Sequence, residues 1–155
     1  MSVQVIGDEA LVAKFRAADA ALRASETSWL AEAGVIVENA IEANIAAQGL
    51  IDSGDLIGSG RVFNQTAHGV TVGFGQGLDY AAAIELGSEP HVIEAKNAEY
   101  LKFYWEREGV MFYGPRVNHP GNRPYKFMRN GSEQAMVPLA FMFMRRLRAI
   151  FGGSL

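Results

Sequence analysis

The chain has no cysteine among its 155 residues and only five prolines. Without thiols there is no disulfide staple, no thiolate metal centre and no cysteine nucleophile, which suits a reducing cytoplasm or an assembled particle. Long apolar runs are missing too. None reaches the ~18 residues that a membrane span needs, and the longest, Ala135 to Met144, contains Pro138. Met1 to Asp8 has no basic stretch leading into an apolar core, so no signal peptide is expected. Charge is modest at 20% of residues against 49% apolar, a balance that favours a packed core over disorder. The length suits one domain over residues 1–155.

The net charge of −3 conceals an asymmetry. Residues 1–90 hold 4 basic and 12 acidic side chains, a balance of −8, whereas residues 91–155 hold 10 basic and 5 acidic, a balance of +5. Opposite halves neutralise each other within one subunit, or present an acidic face to a basic face on the next copy.

Hydrophobic spacing then gives the elements. Val3 to Ile6 reads as a short strand ended by Gly7, with Asp8 as cap of a following helix. Leu11, Phe15, Ala18 and Leu22 recur at helical steps and form one apolar face. Glu26 to Gln48 is the strongest helix. Trp29, Ala33, Ile36 or Val37, Ala40, Ile41 and Ile45 make its buried stripe, Glu32, Glu38 and Glu42 face away, and Gly49 is its left-handed C-cap. At ~1.5 Å per residue it would be roughly 33 Å long.

Residues 50–60 read as loop. Arg61 to Ala67 and Val70 to Phe74 flank His68-Gly69 as a β-hairpin, and Tyr80 to Leu86 as one or two helical turns ended by Gly87. Val92 to Ala95, Glu99 to Trp105 and Val110 to Tyr113 read as strands, the last two forming a hairpin apolar on both faces. Gly114 to Pro124, with three prolines, reads as loop. A final helix is expected from about Ser132, its cap, to Phe151, with a kink or delayed start at Pro138. Apolar residues surround most of that helix, so something must bury it, in part a neighbouring subunit. The fold class is α+β: N-terminal helices, including one long helix packed on a small, mostly antiparallel β-sheet, plus a C-terminal helix.

Several short patterns carry two readings. Leu50-Ile51-Asp52-Ser53-Gly54 matches the active-site signature of retroviral-type aspartic proteases, in which two chains each supply one Asp and the pair shares a proton. Against that, some 40 mostly helical residues precede it, and Asp55 stands where those enzymes have a small residue. The alternative is a turn in which Asp52 and Ser53 bond local N–H groups and Gly54 takes a positive φ. His68, His91 and His119 with Glu85 match no compact ligand spacing. Gly73-Phe74-Gly75-Gln76-Gly77 lacks the Lys-Ser/Thr of a phosphate loop, and no nucleophile elbow is present. Arg145, Arg146 and Arg148, with Lys126 and Arg129 upstream, are candidate phosphate contacts, or a solvated last turn complementing the helix dipole.

Taken in order, the patterns resemble one family. Asp52, Ser53, Gly54 and Leu56 are followed by Tyr80, Ala81, Glu85, Gly87 and Ser88, and then by His119, Pro120, Gly121, Arg123 and Pro124. The series resembles the small neck and tail-completion proteins of long-tailed bacteriophages, over roughly Asp8 to Phe151. It departs in Ser53 and Ser88, where threonine is commoner, and in Pro138 within the last helix. The resemblance implies a pair of N-terminal helices and a structural virion subunit without catalytic activity or cofactor. Such a subunit would form a homo-oligomeric ring, a hexamer or a 12-fold ring, around the DNA channel at the head–tail junction. Its partners would be connector and tail proteins: portal, adaptor or stopper on one side, tail terminator or tail tube on the other. Genomic DNA would pass close by, and no membrane is involved. Arg145, Arg146 and Arg148 become candidates for DNA-channel or subunit contact, and the loops near 49–60 and 114–125 are long enough to reorder against a neighbour.

Overall fold

The computed structural model describes residues 8–66, 68–105 and 108–152. The strand expected over Val3 to Ile6 and the Asp8 side chain expected as a cap lie outside the described residues. The order of elements is α1 (Asp8–Ala47), α2 (Asp55–Gly58), β1 (Arg61–Phe63), β2 (Thr71–Gly73), α3 (Ala81–Leu86), β3 (His91–Glu94), β4 (Leu101–Trp105), β5 (Val110–Gly114), β6 (Arg116–His119) and α4 (Phe127–Phe151). A long N-terminal helix, small antiparallel sheets and a C-terminal helix make this an α+β protein, as expected. The chain forms two compact units, one joining the part up to Leu78 with the part from Phe127 onward, the other spanning Asp79–Lys126.

The first unit is built on α1. Where two helices were expected, one helix of 40 residues runs through. Across the expected boundary the serine hydroxyls donate backwards: Ser25 Oγ to the Ala21 carbonyl (2.6 Å) and Ser28 Oγ to that of Ser25 (2.8 Å). Without glycine or proline nearby, such back-bonding leaves the helix intact. Its end follows the sequence signal. Gly49 has φ 67°, its N–H bonds the Ala46 carbonyl at 3.0 Å, and the Leu50 N–H bonds that of Ile45 at 3.1 Å. This double closure satisfies carbonyls left over at a helix C-terminus.

Helix α4 runs antiparallel along the C-terminal half of α1. Gly131 lies beside Ile41, and Phe143 meets Trp29 edge-on at 6.2 Å. Trp29, Ala33, Ile41 and Ile45 are buried here with Phe127, Ala135 and Met142. Helix α4 starts at Phe127, not at Ser132, whose hydroxyl donates to the Met128 carbonyl (2.7 Å) from inside the helix. Gly131 lies within this helix where it meets α1, and only a residue without Cβ fits there: a Cβ would stand 2.5 Å from Ile41 Cα. The helix also passes through Pro138, whose missing N–H leaves the Gln134 carbonyl without its helical partner.

The β1–β2 hairpin sits on α1 at Gly34, where a Cβ would meet Val62 Cγ1 at 2.7 Å. Its antiparallel register pairs Val62 with Val72. The expected hairpin is present with shorter strands.

The second unit holds two further antiparallel ladders. In β4–β5, Phe103 pairs with Phe112 and Trp105 with Val110. In β3–β6, His91 pairs with His119 and Ile93 with Val117. The strand β6 corrects the expectation of loop throughout 114–124. Pro115 and Pro120 bracket four residues that alternate, and Val117 points into the core, 6% exposed.

Candidate functional site

In the second unit, two of the sequence motifs meet although more than thirty residues separate them. Helix α3 ends at Gly87, whose φ of 81° suits a residue without Cβ. The chain then runs into Ser88, which forms a two-way backbone bridge with Asn122: Ser88 N–H to the Asn122 carbonyl at 2.9 Å, Asn122 N–H to the Ser88 carbonyl at 3.1 Å. Side chains complete the clasp. Ser88 Oγ donates to Asn122 Oδ1 (2.5 Å), and Asn122 Nδ2 donates to the Ala83 carbonyl (2.8 Å). Further along, the N–H groups of Tyr125 and Lys126 bond the carbonyls of Ile84 and Glu85 at 2.9 and 3.1 Å. The carbonyls at the end of α3 are thus satisfied by the returning chain rather than by water.

The residue types follow from this geometry. A Cβ on Gly87 would stand 2.9 Å from both the Asn122 oxygen and the Pro124 nitrogen. A Cβ on Gly121, where φ is 77°, would collide with the Ser88 carbonyl. Gly121 N–H donates to His119 Nδ1 (3.1 Å), which shapes the turn through Pro120. Arg123 lies over the Tyr125 ring at 5.3 Å, and Pro124 borders Gly87. Tyr80 opens α3 with its carbonyl accepting from Ile84 (3.0 Å), and Ala81 is buried beneath. Asn122, which sequence reasoning passed over, holds the arrangement through four hydrogen-bonding atoms. Its signal was a lone amide between Gly121 and Arg123.

The first unit carries the other motif. Gly54 has φ 88°, and Ser53 Oγ both accepts from the Asp55 N–H (3.3 Å) and donates to Asp55 Oδ2 (2.6 Å). Leu56, 3% exposed, anchors the turn in the core, whereas Asp52 is exposed. Asp52 follows the long helix and precedes the four-residue α2, and the local bonds are those of a turn.

The three arginines have different environments. Glu32, expected to face away, instead accepts from Arg145 Nη2 (2.5 Å) and from Arg146 through Nε (3.1 Å) and Nη2. The hydrogen bond from Arg146 holds the Glu32 carboxyl below its ordinary value, against a desolvation that acts the other way. Part of the charge asymmetry is therefore neutralised inside the chain. Arg148 is exposed and has no ion-pair partner among the described residues. Of the histidines, His91 and His119 are cross-strand neighbours with rings 5.0 Å apart, while His68 Nδ1 lies 3.4 Å from Glu26 Oε1 in the first unit. Among the described residues no three His, Asp or Glu side chains gather as a metal site, and no helix is long and apolar enough to cross a membrane.

The dominant surface property is apolar. Among the described residues, 22 large hydrophobic side chains are exposed whereas 11 hydrophobic residues are buried. They include Leu11, Val12 and Phe15 on α1, Tyr104, Val110, Met111 and Tyr113 on the β4–β5 hairpin, and Met136, Val137, Phe141 and Met144 on α4. Along the N-terminal part of the α1 face, Ala18 is buried at 8% exposed, whereas Leu11 and Phe15 are exposed. Comparison of the chain with protein-family models, curated proteins and solved structures finds no match.

Proposed function

We propose that this chain is a structural assembly subunit, a neck or tail-completion protein of a long-tailed bacteriophage particle. It forms a homo-oligomeric ring at the head–tail junction, of six copies or, as the other option, twelve. The observation that carries the reading is the exposed apolar surface: among the described residues, twice as many large hydrophobic side chains are exposed as hydrophobic residues are buried. A monomer in water rarely leaves that much apolar surface bare; association with copies or partners covers it. The ordered motifs give the class of particle. The clasp and the Ser53–Asp55 turn give Ser53, Gly54, Leu56, Gly87, Ser88 and Gly121 structural tasks. Connector and tail proteins are the partners, and Arg148, exposed and without an ion-pair partner among the described residues, is available to DNA or a neighbour. Immunogold electron microscopy of particles from cells expressing the gene tests the reading. Label is expected at the junction between head and tail; particles without label, or label spread over the capsid, contradict it.

A further inference from the structure

Two histidines pair across the β3–β6 ladder, and their hydrogen bonds fix opposite tautomers. His91 Nδ1 lies 2.8 Å from the Glu89 carbonyl oxygen, which can only accept, so that nitrogen carries the proton. His119 Nδ1 lies 3.1 Å from the Gly121 N–H, which can only donate. That nitrogen therefore presents a lone pair, and the neutral His119 ring carries its proton on Nε2. A second proton has different consequences at the two rings. On His91 it goes to Nε2 and leaves the bond to Glu89 in place. On His119 it goes to Nδ1 and turns the acceptor of the Gly121 N–H into a donor.

Gly121 is closely hemmed in. Its φ is 77°, and a Cβ there would collide with the Ser88 carbonyl and stand 2.9 Å from the Glu89 carbonyl carbon. Its N–H has no other acceptor among the described residues. The next residue, Asn122, is the hub of the clasp to Ser88. The two imidazole rings are 5.0 Å apart, so a charge on one opposes a charge on the other. Charged side chains of the neighbouring segments are Glu85 on α3, Glu89 after it, Glu94 on β3, Arg116 on β6 and Arg123 beyond it. Glu94 and Arg116 pair in register three residues along each strand, on the opposite face of the ladder from the histidines. Neither ring is in an ion pair among the described residues, so no carboxylate is placed to compensate a proton on His119.

We propose that His119 is a proton-operated latch on the clasp: its Nδ1 lone pair holds the Gly121 turn closed, and a proton on that nitrogen releases the turn and loosens the Ser88–Asn122 bridge behind it. The latched state binds one proton fewer than the opened one, so opening becomes easier as pH falls through the ordinary histidine range, from about 8 to about 5. The latch lies wholly within the second unit and does not rest on the assembly reading.

Nuclear magnetic resonance of the full chain with isotope-labelled histidine reads the tautomers near pH 8. His119 is expected with its proton on Nε2 and His91 with its proton on Nδ1; a proton on His119 Nδ1 at that pH overturns the latch. Hydrogen exchange then compares about pH 8 with about pH 5, each amide referred to an unstructured chain at the same pH. Protection at Gly121 and Asn122 is expected to fall about fivefold, the worth of one lost hydrogen bond, while the α1–α4 amides keep theirs. His119→Asn places a non-titrating oxygen on the same Cγ, so the fall should disappear. His91→Gln removes the opposing charge and leaves the latch, so the fall should persist and begin at higher pH. Protection that stays constant in the unmodified chain, that falls equally in His119→Asn, or that no longer falls in His91→Gln, overturns the proposal. The first two readings use the unmodified chain and need no variant to fold.

Discussion

The two units are held together by different physics. In the first, helix meets helix through buried side chains: Ile41 and Ile45 are almost fully enclosed, and Gly131 lets the α4 backbone approach Ile41. In the second, Ala81 and Val117 are the hydrophobic residues buried among those described. What joins its segments is a backbone clasp around Ser88 and Asn122, with Gly87 and Gly121 permitting the approach. A segment of this size has too much surface for its volume to rely on burial, so satisfied backbone groups and close-fitting glycines carry its shape. Turn-like residues therefore recur in the second unit for structural reasons, whereas the first shows its construction as hydrophobic periodicity.

Substitutions should respond accordingly. The largest effect is expected in the helix pair. Ile41→Ala should lose about 3–4 kcal/mol through a cavity in a closed core, and Gly131→Ala about 2–3 kcal/mol because a Cβ meets backbone; urea unfolding followed by circular dichroism measures both. In the second unit Asn122→Ala should cost about 2 kcal/mol, the penalty for leaving the Ser88 hydroxyl and the Ala83 carbonyl without their partner. Hydrogen exchange should report that loss at the Tyr125 and Lys126 amides and spare the α1–α4 amides. Equal loosening of both units would break the distinction between them.

Smaller still is the Glu32 pair. Its folded-state carboxyl titrates below the ordinary value of 4.5, so its stabilisation is present above that value and is lost as pH falls through the lowered one. Glu32→Gln should lower the urea midpoint at neutral pH, and the difference from the unmodified chain should vanish in acid. Asp52→Asn is the smallest. With the turn built by Ser53, Gly54 and Asp55, stability should stay within about 0.5 kcal/mol and the assembly state should not change. Loss of a proteolytic activity with this substitution would move Asp52 from turn to catalyst.

Local signals in the sequence reached much of this. The stripe from Trp29 to Ile45, the Gly49 cap, the β1–β2 and β4–β5 hairpins and the Gly87 stop all follow from periodicity and turn chemistry over a few neighbouring residues. The errors came where a distant partner decides. Ser25 and Ser28 are neutral locally, and α1 continues because nothing breaks it. Residues 116–119 become β6 only because β3 lies alongside. Asn130, Gly131 and Ser132 resemble a break, yet Ile41 selects the glycine and the helix starts before it. The union of the 80–88 and 119–124 segments through Asn122, and of Glu32 with Arg146, likewise depends on contacts that no local pattern encodes.

In the proposed assembly, sister copies cover the exposed apolar residues of α1 and α4. Light scattering of the purified unmodified chain across a concentration series tests it most directly. The molar mass should reach a fixed multiple of 16.8 kDa, six or twelve, and stay there. A mass of one chain at every concentration would contradict it.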